Sequence, residues 1–74
     1  MQYTYKVNFF KEPDGGYTVS VPLLPGCITY GETMDQAVSM AKDAIALYIE
    51  SLMAHGEPIP SEEHVFEHLI SVAV

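Results

Sequence analysis

The order of the central elements is set by residues 17–33, Tyr-Thr-Val-Ser-Val-Pro-Leu-Leu-Pro-Gly-Cys-Ile-Thr-Tyr-Gly-Glu-Thr. The pattern of apolar and polar residues changes twice within this stretch. Apolar and polar residues alternate over residues 17–23, which is typical of a β-strand with one buried face. The Pro-Gly pair at 25–26 then predicts a tight turn, and the β-prone residues 27–30 predict another short strand. This segment therefore predicts two strands joined by a turn.

A long amphipathic helix is predicted directly after these strands. Thr33 with Gln36 three residues later forms a capping-box pattern, and Asp35 suits the positive end of a helix dipole. Apolar residues then recur at steps of three and four, namely Met34, Val38, Ala41, Ile45, Tyr48 and Leu52. Gly56 suits a helix C-terminus and Pro58 prevents continuation, so we predict one helix between Thr33 and Gly56.

The N-terminal residues predict the first strand of a hairpin. Residues 2–11 alternate aromatic and β-branched side chains with polar ones. The Pro-Asp-Gly-Gly sequence at 13–16 supplies the fixed and positive φ values that a tight reversal needs. We therefore expect the first two strands to run antiparallel.

The C-terminal residues 64–74 predict a fourth strand. Apart from His64 and His68, one parity carries only large apolar residues: Phe66, Ile70, Val72 and Val74. A helix over residues 61–70 is the alternative, because Ser61 followed by two glutamates also makes a helix start.

These elements give a single α+β domain with the order strand-strand-strand-helix-strand. The helix must cross over to the last strand in the right-handed sense and cover one face of the sheet, leaving the other face open. Parallel pairing of the fourth strand with the first gives the sheet order 3-2-1-4. Because 74 residues bury only a small core, we also expect a homo-oligomer.

The charge balance favours a basic protein partner. Three lysines and no arginine face ten carboxylates, which gives a net charge of −7. Such a chain gains no counterion-release energy on DNA or RNA and no attraction to anionic lipid. We therefore predict neither nucleic-acid nor membrane binding by this chain, and faster encounter with a basic macromolecule.

The single cysteine, Cys27, and the N-terminal sequence indicate a cytoplasmic protein. One cysteine forms no intramolecular disulfide, and the first residues show no basic region followed by a long apolar run. The most apolar stretch, within residues 44–54, contains Glu50 and is too short to span a bilayer.

The turn-rich region between the second strand and the helix carries a family resemblance. This region resembles the signature of the HicB family of antitoxins. The signature is a strand that leads to a proline, followed by Leu-Pro-Gly-Cys, a threonine and a Gly-acid-Thr helix start. Alanines along the helix and the Gly-Glu-Pro-Ile-Pro sequence at 56–60 extend the similarity over nearly the whole chain. The candidate partner-binding or motif residues are those of this signature together with an aspartate in the first turn and a tyrosine in the second strand. They are Asp14, Tyr17, Pro22, Leu24, Pro25, Gly26, Cys27, Thr29, Gly31, Glu32 and Thr33.

The resemblance implies a HicB-like antitoxin domain over residues 1–74. Such a protein binds HicA, a small basic mRNA-cleaving toxin, and covers its active site. It has a partial RNase H-like fold, without that enzyme's metal carboxylates, and is not itself an enzyme. Many relatives carry a further DNA-binding module. This sequence shows no such module, so we expect no operator binding by this chain.

Three enzymatic readings of individual residues have weaker support than their structural explanations. Cys27 lacks a base in any catalytic pattern, so a small buried thiol is expected. His64 and His68 have the i, i+4 spacing of zinc sites only if they lie on a helix, and no third ligand accompanies them. Four carboxylates could form a two-metal nuclease site but are better explained by a turn, a helix N-terminus and a solvated face: Asp14, Glu32, Asp35 and Asp43. No cofactor motif is present.

Two other questions stay open from sequence alone. The tyrosines Tyr3, Tyr5, Tyr17 and Tyr30 suit an exposed interface or completion of a small core equally well. The function that competes with toxin neutralisation is a stand-alone homo-oligomer of the same fold with a structural or small-ligand role.

Overall fold

The computed structural model describes residues 2–74 and contains three strands and one long helix. The strands are β1 (Asn8–Lys11), β2 (Tyr17–Ser20) and β3 (Ile28–Gly31), and the helix is α1 (Met34–Ala54). A short 3₁₀ turn follows at Glu62–His64. The predicted α+β class and the order of the first four elements are confirmed.

The sheet consists of two consecutive antiparallel hairpins in the order β1-β2-β3. β1 is shorter than the predicted strand over residues 2–11, because its ladder ends where Asn8 pairs with Ser20. The next residue after β2 that faces β1 is Pro22, which has no amide hydrogen, and the amide of Lys6, opposite it in register, bonds to the Glu62 carboxylate at 2.9 Å instead. The residues before Asn8 therefore have no ladder partner on that side.

The turn between β1 and β2 is the predicted one. Gly15 and Gly16 have φ values of +101° and +83°, a region that side chains other than glycine rarely adopt. Glu12 donates its amide to the Gly16 carbonyl at 3.0 Å, which closes the hairpin. The Tyr30 ring lies against Gly16, so that a Cβ at this position would meet its hydroxyl oxygen at 1.9 Å.

Both ends of α1 follow from sequence. The Thr33 hydroxyl accepts a hydrogen bond from the Gln36 amide at 3.1 Å, which confirms the predicted N-cap. At the other end, Gly56 has a φ of +65° and donates to the Met53 carbonyl at 3.1 Å, while Glu57 donates to Leu52 at 2.9 Å. This is the Schellman arrangement, which satisfies carbonyls that the helix leaves free.

A close approach of the helix to β3 organises the core. Val19 of β2 is fully buried together with Ala37 and Ala41 of α1. Gly31 is needed at the end of β3, because a Cβ there would lie 2.3 Å from the Ala37 amide nitrogen and 2.4 Å from its Cα. Its φ is not positive, so Gly31 serves this contact and not backbone freedom.

The fourth strand predicted for residues 64–74 does not form within this chain. Ser61 caps the 3₁₀ turn by accepting from the Glu63 amide at 3.1 Å, and Val65 donates to the Glu62 carbonyl at 3.0 Å. The turn overlaps the predicted strand only at His64, but residues 65–74 have no regular structure and pair with no strand of the described sheet. The predicted order 3-2-1-4 is therefore reduced to its first three members, and the alternative helix over residues 61–70 is limited to this turn.

Replacing Gly31 by alanine tests the contact between β3 and α1. We expect Gly31→Ala to lower the free energy of unfolding by about 3 kcal/mol, at the upper end of the usual cost of overpacking, because backbone atoms must move. Gly26→Ala is the control, since Gly26 has a φ of +82° but open space around it. Its cost is limited to roughly 1–2 kcal/mol of backbone strain. Urea unfolding followed by circular dichroism measures both, and equal losses would contradict the steric role.

Candidate protein-binding surface

The helix covers only one face of the sheet and leaves the other open. Val19 faces the helix, so its strand neighbours Thr18 and Ser20 point to the opposite side. The strand register places the other residues of this face beside them. We call it the open face; it consists of Asn8, Phe10, Thr18, Ser20, Ile28 and Tyr30.

The open face exposes three large apolar side chains. Phe10 is 64% exposed, Ile28 65% and Tyr30 46%. Phe10 and Tyr30 flank Thr18 in one row of the ladder, and Ile28 lies in the adjacent row. A solvent-exposed apolar centre with an aromatic ring is characteristic of protein interfaces.

Carboxylates surround one end of the open face, which we call the acidic end and define as Glu12, Asp14 and Glu32. Lys11, Tyr17 and Gly31 are paired across the three strands, so Glu12 and Glu32 follow at the same end of the sheet. Glu12 accepts a hydrogen bond from the Thr18 hydroxyl. Asp14 lies exposed in the hairpin turn. This end can meet basic groups of a partner next to the apolar centre.

The acidic end is tied to the sheet through Tyr30. The Tyr30 hydroxyl donates to the Gly15 carbonyl at 3.2 Å, so the hairpin turn is held against β3. On the far side, Gln36 accepts a hydrogen bond from the Glu32 amide at 2.5 Å, which fixes the backbone just before the helix. The carboxylates of Asp14 and Glu32 thus extend from positioned backbone.

The Leu-Pro-Gly-Cys motif lies at the opposite end of the sheet, in a loop over residues 21–27. Leu24 is fully buried against Val21 and Cys27. Cys27 donates its amide to the Leu24 carbonyl at 2.9 Å, and the Tyr48 hydroxyl of α1 donates to the Pro25 carbonyl at 2.8 Å. The loop is thus held in place by the buried side chain of Leu24 and by the hydrogen bond from Tyr48 of the helix.

The structure therefore separates the predicted site residues instead of bringing them together. Leu24, Cys27 and Gly31 are buried and structural. The half-buried members are Tyr17, which packs against the core, and Thr29. The exposed members divide between the motif loop and the opposite end of the sheet: Pro22, Pro25 and Gly26 on the loop, and Asp14, Glu32 and Thr33 at the other end.

Phe10 and Ile28 are surface residues that the sequence reasoning missed. Each occupies a solvent-facing strand position, since the buried residues of these strands have the other parity. A large apolar residue at a solvent-facing strand position is the signal that could have identified them.

Some of the tyrosines lie on the exposed sheet face and others complete the core. Tyr30 lies on the open face, whereas Tyr17 is on the helix side. Tyr5 packs against the cluster around Leu24 and donates its hydroxyl to the Pro60 carbonyl at 2.6 Å. Burial, with smaller contributions from Tyr3 and Glu62, raises the pKa of Tyr5 above its usual value.

The surroundings of Cys27 and of the histidines suit structural roles. Burial raises the pKa of the Cys27 thiol, which opposes formation of the nucleophilic thiolate. His64 and His68 are both exposed. Within residues 2–74, no three histidine, cysteine or acidic side chains are grouped so that they could hold a metal ion. In the same part of the chain, no helix has the length and apolar character needed to cross a membrane.

Comparison with known proteins places the chain in a family. A family model described as the HicB_like antitoxin of bacterial toxin-antitoxin system matches residues 5–72. The chain belongs to the HicB-like antitoxin family. The resemblance predicted from the motif loop and helix start is thereby confirmed.

Relatives of this HicB-like chain are of two lengths. A UPF0150 protein of Synechocystis is 43% identical over 67 residues, covering 90% of this chain and 85% of that protein. Antitoxin HicB of Escherichia coli is 36% identical over 70 residues, covering 92% of this chain but 51% of that protein. The chain thus spans about half the length of the Escherichia coli antitoxin.

A solved structure supports the fold. The crystal structure of the N-terminal domain of Burkholderia pseudomallei antitoxin HicB superimposes with a TM-score of 0.66 at 30% identity. The match covers 89% of this chain and 69% of that one.

Truncation of Leu24 tests whether the motif loop is structural. We expect Leu24→Ala to lower the free energy of unfolding by about 2–5 kcal/mol, because it leaves a cavity beneath the loop. Leu47→Ala is the matched control: Leu47 is 66% exposed on α1, and its loss should change stability by less than about 0.5 kcal/mol. Thermal and urea unfolding measure both variants, and similar stabilities would contradict the structural role.

Proposed function

We propose that this chain is an antitoxin that neutralises a small, basic, HicA-like mRNA-cleaving toxin by covering its active site. The observation that carries the proposal is the family match over residues 5–72. The role is one of binding and not of catalysis. The proposed site of action is the cytoplasm, where a toxin that cleaves mRNA meets its substrate.

The charge of the chain supports a basic partner. A net charge of −7 attracts a basic protein over the distances at which diffusional encounter is decided, and this effect weakens as salt is added. An RNA-cleaving protein must itself present a positive surface to bind its substrate. An acidic protein that competes with RNA for this surface would block cleavage without catalytic groups of its own.

The open face and the acidic end together suit this contact. Phe10, Ile28 and Tyr30 supply an apolar centre that can be fully desolvated, while the carboxylates at one end supply charge complementarity at its rim. Interfaces commonly combine such a centre with a polar rim. We therefore assign toxin binding to this side of the sheet and a structural role to the motif loop.

A lysine on the open face tests this assignment. We expect Ile28→Lys to weaken binding to the toxin at least about tenfold, because it places an unpaired positive charge in the apolar centre against a basic partner. Leu47→Lys is the matched control, since Leu47 has nearly the same exposure, 66% against 65%, but lies on the helix. The toxin for this test is a small basic protein encoded beside this chain's gene, where the genome carries one; binding is measured by titration calorimetry, and growth rescue by co-expression.

Three results would contradict parts of this proposal. A neighbouring protein that is harmless alone, or that does not bind, removes the toxin role. Equal binding by Ile28→Lys and Leu47→Lys leaves the toxin role but removes the open face from the interface. RNA cleavage that continues in the stable complex contradicts active-site coverage.

We also propose that this chain does not bind operator DNA by itself. Its net charge of −7 opposes association with a polyanion, so DNA binding would need a basic surface from a partner. A gel-shift assay with the promoter fragment should show no shift for the isolated chain. A sequence-specific, salt-sensitive shift would overturn this expectation.

A further inference from the structure

The segment of residues 66–74 exposes apolar side chains that nothing else in the described chain covers. Its exposed large apolar residues are Phe66, Leu69, Ile70, Val72 and Val74, each at least 82% accessible. All but Leu69 share one parity, so an extended conformation would place them on one face. A soluble domain rarely leaves such a β-prone run unpaired.

A groove of matching character lies beside β1. β1 is an edge strand, so the backbone groups along its outer side have no partner in the sheet. The helix lies mainly over β3 and β2, and a groove opens between α1 and the residues that precede β1. Its lining residues are Tyr3, Lys42, Ile45, Ala46 and Ile49.

The segment of the same chain does not line this groove. Residues 59–63 lie beside residues 2–5, and Lys6 holds the following turn by a hydrogen bond from its amide to the Glu62 carboxylate at 2.9 Å. The Lys6 ammonium also donates to the Val65 carbonyl at 3.2 Å. Beyond this anchor the segment projects outward. The radius of gyration is 14.3 Å, against about 11 Å for a compact domain of this length.

We propose that residues 66–74 of one copy pair as an added strand with the β1 edge of a second copy, and that the exchange is reciprocal. Backbone hydrogen bonds would extend the sheet of each copy by one strand. The parity of Phe66, Ile70, Val72 and Val74, which also carries His68, would cover the groove beside α1. The occupant of the groove is thus a second copy of this chain.

The area available is sufficient for a stable dimer. Burying a large apolar side chain removes on the order of 60–120 Å² from water. Two copies contribute four such residues each on the inserted face, and the surfaces they cover contribute in addition. The total reaches the roughly 1,000 Å² that a specific interface needs.

The charges also permit the contact between two acidic copies. Residues 66–74 contain one carboxylate, Glu67, and one histidine, so the inserted segment is almost uncharged. Lys11 ends β1 and Lys42 lines the groove, which places two cations at the receiving edge, while Lys6 is already paired with Glu62 at 3.6 Å and with Glu67 at 3.9 Å in its own chain. The repulsion expected from a charge of −7 on each copy is therefore weakest at this contact.

The oligomeric state of the full chain tests the proposal. Light scattering coupled to size exclusion should give a dimer for the unmodified protein. Hydrogen exchange should show amides of residues 66–74 slowed at least tenfold relative to an unstructured peptide. Val72→Lys should weaken dimerisation at least tenfold, whereas Ser71→Lys, which adds the same charge on the opposite parity, should weaken it less.

Each alternative result is informative because these positions are exposed in the single chain, so the variants should keep its fold, as circular dichroism will verify. A monomer overturns the proposal, whether its segment is unprotected or is protected by pairing with its own β1. A dimer that Val72→Lys leaves intact also overturns it, since another surface such as the open face must then hold the copies together. None of these outcomes depends on whether a toxin binds.

Discussion

The approach of α1 to β3 at Gly31 and Ala37 is the constraint on which the rest of the structure depends. A side chain at residue 31 would occupy the space of the Ala37 backbone, so only glycine lets the helix lie this near the sheet. The contact draws the helix over β3 and β2, where it buries Val19 with Ala37 and Ala41. Because one helix cannot cover both faces and both edges of a sheet, this placement leaves the open face and the β1 edge uncovered. Both candidate interfaces of the molecule result from it.

The local elements could be predicted from sequence because their signals are local. Glycines with positive φ mark the hairpin turn, and Thr33 and Gly56 mark the two ends of the helix through contacts with residues a few positions away. The length of β1 could not be predicted in the same way. It ends at Asn8 because Pro22 has no amide hydrogen to offer and the Lys6 amide opposite it bonds to Glu62, a tertiary contact that alternation in residues 2–11 does not reveal. The prediction of a fourth strand was wrong for a similar reason. Its pattern indicates that residues 66–74 can form a strand, but it does not indicate which sheet edge they pair with.

The candidate surface was predictable only in part. The motif between Leu24 and Thr33 identified the family, yet its most distinctive members, Leu24, Cys27 and Gly31, are buried and maintain the fold. These motif residues therefore mark the scaffold, and the proposed contact surface lies elsewhere. Phe10 and Ile28 carry the surface instead, and no motif marks them. They stand out only once the register shows which face of the sheet the helix leaves uncovered.

The consecutive order of the two hairpins and the helix has a kinetic consequence. β1 pairs with β2, β2 with β3, and α1 then returns onto the strands that immediately precede it. Contacts so close in sequence need only short loops to close, which favours faster folding than distant strand pairings allow. The body of the molecule can thus fold without residues 66–74, which belong to none of its strands or helices. Any pairing of that segment with another molecule is then a separate, second-order step, whose rate is set by the concentration of the protein in the cell and not by its own folding.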